Sequence, residues 1–449
     1  MESLVEEKLS SLSAPSLIEI NKSELKSYFE NAWKINEVLF SGINTETAFY
    51  KSPDPLRNPL IFYWGHTAVF YINKFILAGV ITDRINPHFE NIFARGVDPD
   101  LPENLDILDV WPKVSEVNEY RETAYRLISD IIDNLDDSDT INENHPMWSL
   151  MMSIEHDRIH FETSSVLMRQ LDTEFLTIPN EWSLAPSNGT SPSNELIQIQ
   201  GGKLSYGKDQ NDGVFGWDNE YGKKSTNVEP FQVCKNMISN EDYLSFVESG
   251  EYNNQKHWSE EGWEWKTRVF ALSPRFWVEN EGGFLYRSQF ENISMPLSWP
   301  AEVNAHEALA YCSWLNDGSR LLTEDEYQFL LLTEADKDHY PNINHDKSNV
   351  NLKFNSPTPV DYFQDLSNSP INDLQGNVWE WLSSEFKPLE GFSTHRLYED
   401  FSNPYFDNEH NMMLGGSWAT TGYAANFFYR LWFRRHFYQH AGFRIAKSA

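Results

Sequence analysis

Cysteine is nearly absent from this sequence. The 449 residues include two cysteines, Cys234 and Cys312, which lie far apart in the chain. Two thiols cannot build a disulfide framework or a cysteine-rich zinc site, and their scarcity is typical of the reducing cytoplasm. We therefore expect a cytoplasmic protein stabilised by packing, with Cys312 as a core residue of an amphipathic helix.

Basic residues are also scarce. Lys and Arg together number 35 against 67 Asp and Glu, which gives a formal net charge of −32. A field this negative repels phosphate backbones and anionic lipid headgroups. Nucleic acid and membrane surfaces are therefore excluded as expected partners, whereas small-molecule chemistry is not.

The sequence has no apolar run long enough to cross a membrane. Its longest apolar stretch, residues 61–81, is interrupted by His66, Asn73 and Lys74, and this pattern predicts a buried core helix. The first residues carry no basic segment followed by an apolar run, so no secretory signal is expected.

Aromatic residues, by contrast, are abundant. They make up 14% of the chain, with 16 tryptophans, and hydrophobic residues reach 40%. This composition supplies packed cores and argues against disorder. The length favours two domains over one.

The first third of the sequence is predicted to be helical. Apolar residues at helical spacing predict helices over residues 23–36, 60–81, 114–135 and 147–171, and Pro146 suits the start of the last one. Four long helices predict a bundle, and bundles build metal sites from side chains on facing helices.

The composition changes near residue 184. Residues 184–194 are rich in Ser, Pro, Asn and Gly, which predicts a linker or an exposed connection. Beyond it, β-like runs at 196–200 and 231–235 alternate with loops, and regular helix is expected to be sparse except near 305–316 and 323–333. This half is predicted to be an irregular α+β domain.

His156 and His160 are the most informative residues of the helical half. Their i and i+4 spacing places both imidazoles on one face of a helix, where they can share a divalent metal. Glu162 could be a further ligand, could accept a hydrogen bond from a ligand imidazole, or could do neither. The alternative is two ordinary histidines on a helix surface.

His66 is the best candidate for a third ligand. It lies in an otherwise apolar helix, where an uncompensated imidazole is costly. Alone, it is more simply explained as a core histidine that is hydrogen-bonded to a neighbouring helix. Together with His156 and His160 it predicts three-histidine coordination with open positions for O₂ and a substrate.

Motifs in both halves resemble those of the non-haem iron sulfoxide synthases. The N-terminal motif combines GHTA at 65–68 with His156, His160 and Glu162. The motifs of the second half are WPAEVN at 299–304, RLLTEDEY at 320–327, GNVWEW at 376–381, GGSW at 415–418 and AGFR at 441–444. The resemblance implies a multi-domain α and α+β protein. It would have a DinB-like four-helix bundle (15–183), a linker (184–195) and a formylglycine-generating-enzyme-like, C-type-lectin-like domain (196–449).

Within that family the sequence resembles the ovothiol branch more than the ergothioneine branch. The shared segments are NPLIFY at 58–63, RINPHFE at 84–90, FGWDNEYG at 215–222 and FRRHF at 433–437, and Ile159 stands where ergothioneine-type enzymes tend to have Gln. Residues 423–432, which are expected to line the site, are more apolar than in the ovothiol branch. A methyltransferase domain, often fused in that branch, is not visible, so N-methylation would need a separate protein.

The resemblance implies a reaction and a set of site residues. Fe(II) would be held by His66, His156 and His160, and cysteine, histidine and O₂ would be converted to 5-histidylcysteine sulfoxide. Tyr398 would be the catalytic tyrosine, with Tyr405 as runner-up. The residues expected to bind substrate are Trp432, Phe433, Arg434 and Arg435. The alternatives are an ergothioneine-type synthase with a different pair of thiol and imidazole substrates, a thiol dioxygenase such as one acting on cysteine alone, and a non-catalytic metal-binding homologue.

Overall fold

Helices dominate the first third of the chain, as the apolar spacing predicts. The computed structural model describes residues 8–94, 96, 99, 101–105, 110–210, 212–335 and 340–449. Asn21 caps the first helix by accepting from the Glu24 N–H, and Gly79 ends the third in the left-handed conformation, with φ of 75°. The helices are α1 (Lys22–Ser41), α2 (Glu46–Phe49), α3 (Leu60–Ala78), α4 (Pro87–Ile92), α5 (Val114–Asp133) and α6 (Trp148–Met168).

The four long helices pack on one another. α3 lies against both α5 and α6, and α1 lies against the same two helices. The predicted helical bundle is therefore present, while its identification as DinB-like stays a prediction. Within the described ranges, no helix combines the length and the apolarity that a membrane crossing requires.

The second half is a mixed α and β structure, and it holds more helix than the sequence pattern predicts. Two short helices, at 240–248 and 260–269, lie outside the ranges 305–316 and 323–333 in which the sequence pattern predicts regular helix. The helices are α7 (Asn240–Glu248), α8 (Glu260–Val269), α9 (Ala305–Leu315) and α10 (Glu324–Thr333).

The strands are short and form several small sheets. They are β1 (Leu196–Ile199), β2 (Gly202–Tyr206), β3 (Lys224–Val228), β4 (Phe231–Cys234), β5 (Trp277–Asn280), β6 (Gly283–Arg287), β7 (Asn292–Ser294), β8 (Arg320–Leu321), β9 (Trp379–Glu385), β10 (His410–Leu414), β11 (Leu431–Arg434), β12 (Ala441–Gly442) and β13 (Ile445–Ser448). One sheet has the order β1-β4-β13-β8 and another β11-β10-β9-β12, while β2 pairs with β3 and β6 lies between β5 and β7. The pairings are antiparallel except for that of β12 with β9.

The connection between the halves is held against the second half. Residues 184–195 contain neither helix nor strand. The Ala185 N–H nevertheless donates to Ser356 Oγ, and the Ser191 N–H donates to Glu241 Oε2. These bonds fix the connection in place, so it is an ordered connection and not a flexible tether.

The two halves share one hydrophobic core. A single cluster of buried side chains includes Phe29 and Ile154 of the helical half and Trp299 and Trp381 of the second half. Cys312 is buried in the same cluster, as expected for a core residue. Side chains of α6 therefore face the second half directly.

Candidate metal centre

α3 and α6 bring three histidines together. One nitrogen from each of His66, His156 and His160 lies within 4.8 Å of the others. The ring centroids of His66 are 4.9 Å from His156 and 4.5 Å from His160, and the two α6 histidines are 4.3 Å apart. The predicted ligand residues therefore converge, and the convergence depends on α3 packing lengthwise on α6.

The orientation of His66 is fixed by the chain that follows α4. Its Nδ1 is hydrogen-bonded to the carbonyl of Phe93, which leaves Nε2 free to act as a ligand. Gly65 permits this approach, because a Cβ there would lie 2.7 Å from the buried Phe93 ring.

His156 and His160 lie in an apolar, mostly aromatic wall. Phe70 stacks on the His156 ring at a centroid distance of 3.5 Å, and Tyr63 lies 6.1 Å from His160. Among the described residues, neither His156 Nδ1 nor His160 Nδ1 has a hydrogen-bond partner. An orphaned buried nitrogen is costly, and two on successive turns of one helix indicate an external partner.

The electrostatics of the three imidazoles suit a metal. Burial lowers the pKa of His66 to about 4 and the pKa values of His156 and His160 well below the usual range. The rings are therefore neutral at physiological pH, which is the protonation state that binds metals. Three neutral nitrogen donors fit a divalent transition metal and leave coordination positions open.

Glu162 does not belong to the histidine group. Its carboxylate accepts from Trp379 Nε1 at 2.7 Å and from Thr420 Oγ1 at 3.1 Å, and it also accepts from Ser417 Oγ. Of the roles that the sequence left open, Glu162 takes a structural one. It ties α6 to the GNVWEW and GGSW segments of the second half.

Tyr398 lies beside the histidines, although it follows His156 by more than 200 residues. Its ring centroid is 6.2 Å from that of His156 and 5.3 Å from that of Phe70. Burial raises the pKa of Tyr398 well above its usual value, so the hydroxyl is protonated at neutral pH. The second half thus contributes a phenol next to the candidate metal centre.

Tyr405 has different ring neighbours. Its ring packs 5.2 Å from His410 and 5.8 Å from Trp432. Trp432 in turn lies 5.2 Å from Phe401, which contacts Tyr398. Tyr398 is therefore placed better than Tyr405 for contact with a group bound at the histidines.

The structure divides the predicted substrate residues between two faces. Residues of β11 alternate, so that Phe433 packs on the core that includes α3 and α6, while Trp432 packs on a separate cluster behind it. Arg434 is bonded to Glu409, and Arg435 donates to Glu261 Oε2 at 2.8 Å. A substrate carboxylate at either arginine would therefore have to compete with a carboxylate of the protein.

Two cations near the histidines, the half-buried Lys74 and the buried Arg57, were missed by sequence reasoning. Lys74 Nζ lies 3.9 Å from the centroid of Tyr398 and 4.7 Å from that of Phe70, and it donates to the Leu397 carbonyl. Arg57 stacks at 3.8 Å on Phe437, and its charge contributes to the lowered pKa of His160. A lysine in an otherwise apolar helix, two turns after His66, was the available signal for Lys74.

Comparison with known proteins places the second half in a family. Residues 182–449 match the model of the sulfatase-modifying factor enzyme 1-like domain. This match confirms the expected domain type.

Three curated relatives are similar to this chain, and two of them match well beyond the second half. Ergothioneine biosynthesis protein 1 of Schizosaccharomyces pombe is 27% identical over 87% of this chain and 51% of its own length. Hercynine oxygenase of Mycobacterium tuberculosis is 29% identical over 51% of this chain and 55% of its own length. Hercynine oxygenase of Mycolicibacterium thermoresistibile is 26% identical over 88% of each chain. This chain thus spans about half the length of the first two relatives.

Proposed function

Because the chain belongs to the family of the sulfatase-modifying factor enzyme 1-like domain, we propose that it is an Fe(II)- and O₂-dependent sulfoxide synthase. It would join the sulfur of a thiol substrate to an imidazole ring and oxidise that sulfur. The helical half would be a DinB-like bundle that carries the metal.

The observation that carries this proposal is the buried group of His66, His156 and His160 beside Tyr398. A structural zinc site would be closed by four ligands, usually with cysteine, and no cysteine belongs to this group in the described part of the chain. Three nitrogen ligands with open positions suit a metal that binds reactants. The phenol supplied by the second half is the one proton donor that the proposed chemistry needs.

The overall reaction balances without a further reductant. A thiol, an imidazole C–H and O₂ give a C–S bond, one sulfoxide oxygen and one water, so O₂ takes up four electrons. Bound iron would supply the one-electron steps by which O₂ reacts with a thiolate.

The residues of the chain hold and shield the reactants. The Phe93 carbonyl orients His66, and Phe70 fixes the His156 ring by stacking. The Tyr398 hydroxyl, kept protonated by burial, would hold the proton that the reacting oxygen takes up. The aromatic walls exclude water, which strengthens every polar interaction inside.

Hercynine is the imidazole substrate that the relatives favour. Two of the curated relatives are named hercynine oxygenase and one is named for ergothioneine biosynthesis, which supports the ergothioneine-type alternative over the ovothiol branch. Hercynine carries a quaternary ammonium, and aromatic faces recognise such cations. The Tyr398, Phe401 and Trp217 rings, whose centroids lie within 6.5 Å of one another, would provide such faces.

Histidine is the second candidate, and one observation favours it. Ile159 directly precedes His160, at a position where ergothioneine-type enzymes tend to have a polar Gln. An apolar side chain cannot donate to an imidazole nitrogen. The ovothiol-type product, 5-histidylcysteine sulfoxide, would then be formed from histidine and cysteine.

The proposal is tested by a substrate matrix. The protein is loaded anaerobically with Fe(II), mixed with cysteine and either hercynine or histidine, and exposed to O₂ before mass analysis. A sulfoxide of the combined mass supports a synthase, and the imidazole that gives it faster identifies the branch. Cysteine sulfinate as the sole product, or no thiol-dependent O₂ uptake, would overturn the proposal.

The metal assignment has its own test. His160→Ala removes one of three ligands, so we expect iron content and O₂ uptake to fall at least tenfold, while His88→Ala, at an exposed position on α4, leaves both unchanged. Iron is counted per protein after desalting. A His160→Ala protein that retains stoichiometric iron would exclude this coordination.

A further inference from the structure

A cleft lined by arginines lies where the end of α6 meets the sheet of β5, β6 and β7. Its volume is about 250 Å³, and Arg169, Arg275 and Arg287 line it together with Asp172 and Thr173. Arg169 follows His160 by nine residues, so it lies about 13 Å farther along the helix at 1.5 Å per residue. The cleft is therefore separate from the candidate metal centre.

Arg287 is a buried guanidinium without a carboxylate partner. It is 6% exposed, and its Nε and Nη2 donate to the backbone carbonyls of Arg169 (3.0 Å) and Leu171 (2.8 Å). Backbone carbonyls satisfy its donors without neutralising its charge. Within the described ranges Arg287 forms no ion pair, and its Nη1 makes no hydrogen bond.

The neighbouring arginines, Arg169 and Arg275, add positive charge that is only partly neutralised. Arg169 Nη1 donates to Glu302 at 2.7 Å, but Arg169 Nη2 is buried and, among the described residues, unpartnered. Glu302 is shared, since it also accepts from Tyr286. Arg275 bonds only to the neutral Gln170, at 3.2 Å, within the part of the chain that the structure describes.

Asp172, the acidic residue that lines the cleft, does not neutralise the charge of Arg287. Burial, and next the charge of Arg169, lower the pKa of Arg287 to about 10, and the opposing effect of the exposed Asp172 is smaller than either. A guanidinium is usually buried with a carboxylate or phosphate, which it binds through two parallel hydrogen bonds.

We propose that this cleft binds a small anion, a carboxylate, sulfate or phosphate group, through Arg287 and Arg275, with Thr173 at its edge. The site goes beyond the proposed reaction and does not depend on it. It is a local cation cluster in a chain of net charge −32, so an anion is attracted only at short range and its binding weakens with salt.

The cleft opens toward a larger one. A cavity of about 550 Å³ shares Gln170 and Arg275 with it and adds Arg268 and His436 to the lining. The anion is therefore either a free inorganic ion or the carboxylate end of a longer molecule that lies across both cavities. The probes for the test are inorganic phosphate for the first and glutarate for the second.

Calorimetric titration of the full-length protein with phosphate and with glutarate tests the site without any activity assay. We expect saturable binding, with the two anions competing, and about a tenfold weaker affinity in Arg275→Gln, because a hydrogen bond to a charged group is lost. Arg275 is exposed, so this variant should fold. The tighter of the two anions identifies the source.

Arg126→Gln is the matched control. Arg126 is an exposed arginine of α5 whose ion pair is with Glu122, so its loss changes the net charge by the same amount away from the cleft. The control should bind both probes like the parent protein. Absence of saturable binding, or an equal loss of affinity in both variants, would overturn the proposal.

Discussion

Lys74 connects Tyr398, the candidate catalytic tyrosine, to α3, the helix that carries His66. Its ammonium lies over the Tyr398 ring and is bonded to the carbonyl of Leu397, the residue before it. Burial lowers the pKa of Lys74 to about 8, while the charge of Asp400 raises it. The histidine pair was predictable because i and i+4 spacing is local. The partner of Lys74 was not, because it lies more than 300 residues away.

Replacing Lys74 should therefore affect catalysis while leaving the metal in place. In Lys74→Met we expect kcat to fall about 5- to 30-fold, the equivalent of the ~1–2 kcal/mol of a desolvated cation–π contact, with more cysteine sulfinate relative to sulfoxide. Lys74→Arg should recover part of the loss. The measurements are the product ratio and the iron content.

The control for that variant is Lys34→Met, at an exposed lysine of α1. It should match the parent protein in rate, product ratio and iron. If Lys74→Met lost iron and activity in proportion, Lys74 would be a general structural residue and not a positioning residue for Tyr398.

At the scale of elements, sequence periodicity predicted the long helices better than the short ones. α3 and α5 begin at the predicted residues, 60 and 114, because long amphipathic or apolar patterns are unambiguous. α7 was missed, because its nine residues give too few turns for a period. Its capping box, in which Ser239 and Asp242 bond each other's backbone N–H, was the visible signal.

Glu162 shows how one element can join the two halves of the chain. It is buried on α6, and Trp379, Ser417 and Thr420 all donate to its carboxylate. In Glu162→Ala these donors lose their acceptor inside the shared core. We expect a loss of about 3 kcal/mol in the free energy of unfolding, since each buried unsatisfied group costs about 1–3 kcal/mol.

The measurement is denaturant unfolding of the metal-free protein, so that ligand loss does not contribute. Glu162→Gln keeps one carbonyl acceptor and should lose less than Glu162→Ala. Glu122→Ala, at an exposed glutamate of α5, should be close to neutral. An unfolding free energy for Glu162→Ala within 0.5 kcal/mol of the parent, a span typical of surface substitutions, would show that Glu162 does not join the halves.

For the whole molecule, the sequence predicted two domains but not their shared core. Composition shows where turn-forming residues begin, near residue 184, and the family match starts at 182. Composition cannot show that Trp299 and Trp381 pack in one cluster with side chains of α1 and α6, because such contacts depend on the tertiary arrangement. The predicted substrate residues of β11 were placed by motif alone. Alternation along the strand puts Trp432 and Phe433 on opposite faces.

The charge of the whole molecule leads to a prediction about pH. Burial raises the pKa of Glu220 to about 8 and those of Glu307 and Asp373 to about 7. Unfolded carboxyls titrate near 4, so the folded state holds protons that the unfolded state releases. Their contribution is fully present below pH ~4 and is lost as the pH rises through 7 to 8, at up to about 1.4 kcal/mol per group and pH unit.

The free energy of unfolding should therefore fall by about 1–2 kcal/mol between pH 7 and pH 8.5, and Glu220→Gln should remove most of the difference. Histidines with lowered pKa, such as His306, act in the opposite sense, but their unfolded forms are already largely neutral above pH 7. Repulsion within a surface of net charge −32 has the same sign as the carboxyl effect, yet salt screens it.

Denaturant unfolding in 0.5 M NaCl distinguishes the surface repulsion from the effect of the buried carboxyls. A slope that disappears in salt belongs to the surface charge. A slope that persists in salt and is strongly reduced in Glu220→Gln belongs to the buried Glu220 carboxyl, to which the Tyr423 hydroxyl and the Trp217 N–H both donate.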